Sequence, residues 1–378
     1  MRIGLDGLPL TKAKTGVGHY TFELARELAR LEPRTSFELI YPSTYPHLSL
    51  PETVSLPSNL KLDRVPVGPL GRQWWSNGLP RHIRREGIDL FHGTNYDVPL
   101  WRRCPTILTI HDLSLLLHPE THTRRSVARA RRRLPLMVRT ADAIITPTES
   151  VRGELAKYFK VDPEKIFAVP EAARECFRPM ELADTESVRQ RLGVGDEFLL
   201  AVGTIEPRKN LATLVTAFEE VIRARPKSAL QLVIAGGAGW LSGPLIESFK
   251  VSAARDRIVL TDYLDDDSLR ALYTSCRAFV YPSIYEGFGL PPLEAMACGA
   301  PVIASRIPAL TETTGEAARL FDQSSAKDLA NEIFALMDDE PARQELSNAG
   351  LKRASEFSWE RAAQLTMAVY TKVLAGSA

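Results

Sequence analysis

Short apolar runs alternate with stretches of helical periodicity along the whole chain, and this alternation carries the fold prediction. In the first half, the runs at 1–6, 37–41, 90–92, 106–110, 143–146 and 166–169 have the length of buried strands. A glycine-containing loop follows the first run, and residues 20–31 (YTFELARELARL) repeat apolar positions at helical spacing. The polar stretch 171–196 reads as a connection. Beyond it the pattern restarts, with strands at 198–202, 230–235, 258–260, 278–281 and 301–304 and helices at 211–225 and 292–297. A last helix, 359–374, has no strand after it. Such alternation predicts parallel sheets covered by helices on both faces. The expected fold class is α/β: two Rossmann-like, doubly wound parallel-sheet domains, 1–175 and 196–358, facing across a cleft where a ligand would sit.

Composition narrows this picture. A chain of 378 residues is too long for one ordinary core and suits two domains of roughly 150–200 residues each. With 44% hydrophobic and 25% charged residues it is a folded globular chain, and a formal net charge of +1 does not describe a nucleic-acid binder. Cys104, Cys176, Cys276 and Cys298 form no C-x-x-C pair, so neither a zinc site nor a disulfide framework is expected, and a reducing, cytoplasmic setting is the simple reading. The opening MRIGLDGLPL has no signal-peptide pattern, and no apolar run is long enough for a transmembrane helix.

The segment 286–294, EGFGLPPLE, follows the strand-like AFVYPS. Gly287 and Gly289 let backbone approach a ligand closely, and Pro291 and Pro292 suit the first turn of a helix. Free N–H groups at a helix start favour an anion. Glu286 and Glu294 bracket the turn as acceptors for hydroxyl hydrogen bonds. An isolated pair of glutamates at this spacing would be an ordinary loop with a capping residue; the glycines, prolines and preceding strand favour a device for a sugar, a phosphate and a ribose.

The turn GTIEPRKN, 203–210, follows the strand-like FLLAV and precedes a helix. Its adjacent Arg208 and Lys209 could neutralise a diphosphate, although alone they would read as a solvated basic turn. His111 ends another predicted strand, a position that points toward the ligand side of a doubly wound sheet; Asp112 could merely cap it. His92 ends a further strand and is read equally as acceptor-pocket lining or as a structural residue. Gly16-Val17-Gly18 lacks the third glycine of a dinucleotide fingerprint, which argues against a dehydrogenase. Asp265, Asp266 and Asp267 precede SLRALY and suit a helix N-terminus better than a metal.

The 286–294 segment resembles the E-x7-E motif of retaining glycosyltransferases of family 4, which have the GT-B fold. The resemblance extends over nearly the whole chain, and its second half carries the clearer match. It implies that Glu294 holds the nucleotide ribose, while Glu286, Gly287, Phe288, Gly289 and Leu290 face the hexose and pyrophosphate. It implies catalytic roles for His111, Arg208, Lys209 and Glu286. Donor contacts are implied for Gly16, Gly18, Gly203, Thr204, Tyr263 and Leu264. Many family members have arginine where this chain has Thr204, and Arg208 could supply that charge. The EPRKN form resembles bacterial O-antigen mannosyltransferases, which favours GDP-mannose as donor and a glycan or polyprenyl-linked acceptor in lipopolysaccharide synthesis. The resemblance implies same-face attack with retention, no metal and no cofactor, and a C-terminal helix, 359–376, returning onto the first domain. A nucleotide-sugar epimerase of similar two-lobed fold and a non-catalytic nucleotide-sugar binding subunit remain as alternatives; products formed without any acceptor would mark the epimerase.

One segment adds a partner. RRSVARARRRLPLMVR, from Arg124 to Arg139, contains seven arginines and no acidic residue. Val127, Leu134, Met137 and Val138 can share a helical face, with Pro135 expected to kink the helix or mark a new start. A basic amphipathic helix suits an anionic membrane surface, and equally a solvated surface.

Overall fold

A computed structural model describes residues 1–11, 16–50, 55–67 and 73–376. The chain forms two compact units. The first comprises Met1–Leu113, Ala128–Glu171 and Ser358–Ala378; the second comprises Ser114–Val127 and Ala172–Phe357.

The first unit contains β1 (Arg2–Asp6), β2 (Ser36–Pro42), β3 (Leu60–Val65), β4 (Leu90–Gly93), β5 (Thr106–Thr109), β6 (Ala143–Thr146) and β7 (Ile166–Ala168). They form one parallel sheet in the order β3-β2-β1-β4-β5-β6-β7. The strand order reverses between β1 and β4. In such sheets ligands bind beyond the carboxyl ends of the strands at this reversal. Gly16 and Gly18 lie in the first turn of helix Gly16–Leu31 rather than in a loop ahead of it, and part of the preceding loop, 12–15, lies outside the described residues. The helix Arg124–Thr140 runs through Pro135 without a break, contrary to a fresh start there. Within this unit the C-terminal helix Trp359–Ala375 packs along Gly16–Leu31, with the Trp359 ring 6.0 Å from Tyr20. His92 is fully buried, its ring nitrogens 2.7 Å from the hydroxyls of Tyr370 and Thr109. Burial pushes its pKa down to about 3, so it is neutral and structural.

The second unit contains β8 (Phe198–Val202), β9 (Gln231–Ala235), β10 (Ile258–Thr261), β11 (Ala278–Tyr281), β12 (Val302–Ser305) and β13 (Arg319–Phe321), parallel in the order β10-β9-β8-β11-β12-β13. Alternate residues feed two cores, one on each face: Phe198, Leu200, Phe279 and Tyr281 on one, Leu199, Ala201, Ala278 and Val280 on the other. Burial on both faces explains why these strands read as continuous apolar runs. Here the order reverses between β8 and β11. The stretch expected to be a plain connection holds a helix, Leu182–Leu192, ended by left-handed Gly193.

Candidate donor site in the second unit

The two strands flanking the reversal supply the site. β8 leads through Gly203 into a tight turn, Pro207–Lys209, and β11 leads through Pro282 toward Glu286. Asn210, left-handed at φ 52°, stitches the two: its side-chain amide donates to the carbonyls of Pro282 (3.1 Å) and Gln323 (2.9 Å). The Ile284 N–H donates to the Arg208 carbonyl at 3.0 Å. Residues more than seventy positions apart are thereby set face to face.

The result is a charge cluster. Lys209 Nζ donates to Glu286 Oε1 and to the Tyr281 hydroxyl, both at 2.6 Å, and lies 4.7 Å from the Tyr281 ring centre. Arg208 reaches Glu286 Oε2 at 2.8 Å, Glu206 Oε1 at 2.7 Å and the Tyr285 carbonyl at 3.0 Å. All four ionisable side chains are largely buried. Burial alone would raise the Glu286 carboxyl, but Arg208 and Lys209 more than offset it and hold the pKa down to about 2. Burial, aided by Arg208, pulls Lys209 below its ordinary value, against the opposing pull of Glu286. Glu206 is raised by burial, with Arg208 opposing. Two cations and two carboxylates therefore balance.

Gly289 opens the helix Leu290–Ala297 at φ 106°, a conformation glycine adopts freely; a side chain there would also meet Leu310 Cδ2 at 2.6 Å. Pro291 and Pro292 fill its first turn, where missing N–H groups cost nothing. The Phe288 ring, expected to face a hexose, packs in the core against Phe357, and its carbonyl accepts from the Thr313 hydroxyl at 2.7 Å. Only its remaining backbone can meet a ligand. Leu290 is half-buried.

Glu294 lies one helical turn further and is 8% exposed. Arg174 Nε donates to its Oε1 at 3.3 Å, while Arg174 Nη1 donates to Asp266 at 2.6 Å. Burial pushes Glu294 up to about 7, with Arg174 opposing. Asp265 caps the helix Asp266–Ser275, its side chain accepting from the Ser268 N–H at 2.7 Å. Tyr263 and Leu264 precede this helix, and Tyr263 is 66% exposed. Gly203, at φ 142°, sits beside the Lys209 side chain, and Thr204 is exposed. The segment Ser114–Val127 belongs to this unit: the His118 ring lies 5.0 Å from Tyr285, and Trp240 Nε1 donates to the Thr121 carbonyl at 2.8 Å.

His111 lies in the first unit at the end of β5. Its Nε2 donates to the Thr94 carbonyl at 2.8 Å and its Nδ1 faces Glu171 Oε1 at 3.2 Å. Burial opposes protonation, but Glu171 outweighs it and raises the pKa, which fits an imidazolium donating from both nitrogens. Neither nitrogen is then left for a sugar hydroxyl, and contact with a donor requires release of one partner. Sequence reasoning missed Glu171, Arg174, Glu206 and Tyr281. The carboxylate of Glu206, two residues before Arg208, was the nearest available signal.

Comparison with known proteins also divides the chain in two. Residues 14–172 match the family Glycosyltransferase Family 4, and residues 184–353 match Glycosyl transferases group 1. The chain is similar to the O-antigen chain mannosyltransferase B of Escherichia coli, 28% identical over 98% of this chain and 99% of that protein. It is also 31% identical to the serotype-specific mannosyltransferase WbdA of Escherichia coli over 76% of this chain, and spans only 36% of that longer protein. Its structure resembles sucrose-phosphate synthase from Thermosynechococcus elongatus, with a TM-score of 0.80 and 22% identity over the whole of both chains. That likeness concerns the fold, which is of the GT-B type.

Proposed function

Since the chain belongs to the family 4 and group 1 glycosyltransferases, we propose that it transfers mannose from GDP-mannose, with retention, to a hydroxyl of a glycan or polyprenyl-linked acceptor in O-antigen synthesis. The observation that carries this reading is the Glu286 carboxylate held by Arg208 at 2.8 Å and Lys209 at 2.6 Å beside the strand reversal. The likeness to O-antigen mannosyltransferases supports the sugar.

In the proposed reaction the acceptor oxygen bonds to the anomeric carbon on the face that the diphosphate leaves. The electron pair of the breaking bond goes to the leaving phosphate oxygen, and the acceptor proton passes to a phosphate oxygen. Nucleoside diphosphate and glycoside are the products. Arg208, Lys209 and the backbone at the start of Leu290–Ala297 stabilise the charge that develops on the leaving group. Glu286 positions the hexose, Glu294 accepts from the ribose hydroxyls, and Gly203, Thr204, Tyr263 and Leu264 line the remaining donor contacts. The first unit takes the acceptor; Gly16 and Gly18 serve the donor and His111 is catalytic. The reaction uses no metal, and the enzyme works from the cytoplasmic face of a membrane, to which the arginines from Arg124 to Arg139 bind. Among the described residues no helix is long and apolar enough to cross a membrane.

The test is a donor screen by thermal shift with GDP-mannose, UDP-glucose and UDP-N-acetylglucosamine. GDP-mannose is expected to give the largest shift; a larger shift with a uridine donor would overturn the donor assignment. A second expectation concerns pH. Glu294 ionises near pH 7 and binds ribose as the carboxylate, so GDP-mannose affinity should rise about tenfold between pH 6 and pH 8. Glu294→Ala should weaken binding and flatten this profile in calorimetry; an unchanged profile would remove Glu294 from the ribose site.

A further inference from the structure

We propose that the first unit carries a built membrane-docking corner, in which Trp101 and Leu136 enter an anionic bilayer surface while Arg103 and Arg139 hold a lipid phosphate. This deepens the membrane placement proposed above by naming the residues that make the contact. The helix Arg124–Thr140 turns Val127, Leu134, Met137 and Val138 into the protein. Within the first unit its exposed side carries Arg129, Arg132, Leu136 and Arg139, whose steps of three and four residues make one continuous stripe. Arg133 pairs with Asp97 at 2.5 Å, and among the described residues no other arginine of this helix has an acidic partner. The stripe is therefore an uncompensated line of charge on a chain whose formal net charge is only +1.

The C-terminal end of that helix meets the loop 100–103. Together they form an open depression of about 310 Å³ lined by Leu100, Trp101, Arg102, Arg103, Arg139 and Thr140. Asp142 neutralises Arg102, whereas Arg103 and Arg139 have no acidic partner among the described residues. A phosphodiester fits that pair in charge, with the Thr140 hydroxyl as a further donor. Around it stand three exposed apolar side chains: Trp101 at 65%, Leu136 at 49% and Leu100 at 37%. An indole beside arginines suits the headgroup layer, where its ring is half in hydrocarbon and its N–H is wet. A nucleic-acid backbone would satisfy the arginines but leave Leu100 and Leu136 without purpose, so a bilayer is the better match. Each arginine near an anionic surface adds about fivefold to partitioning.

The experiment is sedimentation of the full chain with vesicles of phosphatidylcholine alone and of phosphatidylcholine mixed equally with phosphatidylglycerol. Binding is expected to the mixed vesicles only, with a blue shift of tryptophan emission. Trp101→Ser should remove most of that shift and weaken binding about tenfold, as should the double variant Arg103→Ala, Arg139→Ala; Arg34→Ala, at an exposed site elsewhere, should do neither. Equal binding to both vesicles or to neither would overturn the proposal. So would stabilisation by inorganic phosphate without vesicle binding, or oligonucleotide binding that ignores Trp101→Ser while vesicles fail. The GDP-mannose thermal shift, measured on the same variants, should be unchanged. Its loss in wild type with vesicle binding intact would count against the transferase reading and leave the docking corner standing.

Discussion

Replacing Lys209 by alanine is expected to lower the turnover of sugar transfer by about a hundred- to a thousandfold, the usual loss when one preorganised donor to a developing oxyanion is removed. Lys209 is fixed by two side chains, the Glu286 carboxylate and the Tyr281 hydroxyl, each at 2.6 Å. Its ammonium therefore needs no reorganisation when charge arrives on the leaving phosphate. Burial of its surroundings makes the attraction larger than in water. Lys209→Arg should not restore the rate, because a planar fork cannot take the place of a compact ammonium in this packed slot. Steady-state kinetics with GDP-mannose check both variants. A near-normal rate in the alanine variant would remove Lys209 from the mechanism.

The second large effect is expected at Glu286→Gln. This carboxylate neutralises Arg208 and Lys209 together, so its loss leaves two buried cations with one remaining carboxylate, Glu206. Breaking a buried pair costs about 3–5 kcal/mol, or about 10 °C in the melting temperature of a unit this size. The pH dependence has a definite sign. The folded-state pKa of about 2 lies below the ordinary 4.5, so the stabilisation is complete above pH 4.5 and disappears as pH falls through 2. The gap between wild type and variant should therefore be wide at pH 7 and narrow progressively below pH 4.5. A gap independent of pH would show that the loss is one of packing. Transfer should fall about a hundredfold as well if Glu286 holds Arg208 and the hexose as proposed.

The fold class and the family were legible in the sequence because strands buried on both faces write themselves as unbroken apolar runs. FLLAV and AFVY mark β8 and β11 to the residue. β3 escaped because it is an edge strand, LKLDRV, with exposed polar positions that break the run. β13 escaped because three residues are too few to show a period. The helix Leu182–Leu192 is mostly exposed and polar, so its sequence reads like a linker; only Gly193 marks its end. At the site, the glutamates, glycines and prolines of 286–294 and the Arg208-Lys209 pair stood out because each motif is local. What the structure adds is long-range. Arg174 stands 120 positions before Glu294, and Tyr281 stands 72 after Lys209, yet each is in hydrogen-bond contact. No local pattern encodes such contacts. The Phe288 ring shows the opposite limit: the motif includes it, and packing turns it into the core.

The proposed function requires that the second unit hold a nucleotide sugar with its diphosphate on Arg208 and Lys209 and its ribose on Glu294. A crystal structure with GDP bound would show whether it does. Phosphate oxygens are expected within hydrogen-bond distance of Arg208 and Lys209, and both ribose hydroxyls on the Glu294 carboxylate with Arg174 shifted from its present 3.3 Å contact. GDP bound elsewhere, or bound here with Glu294 untouched by the ribose, would contradict it.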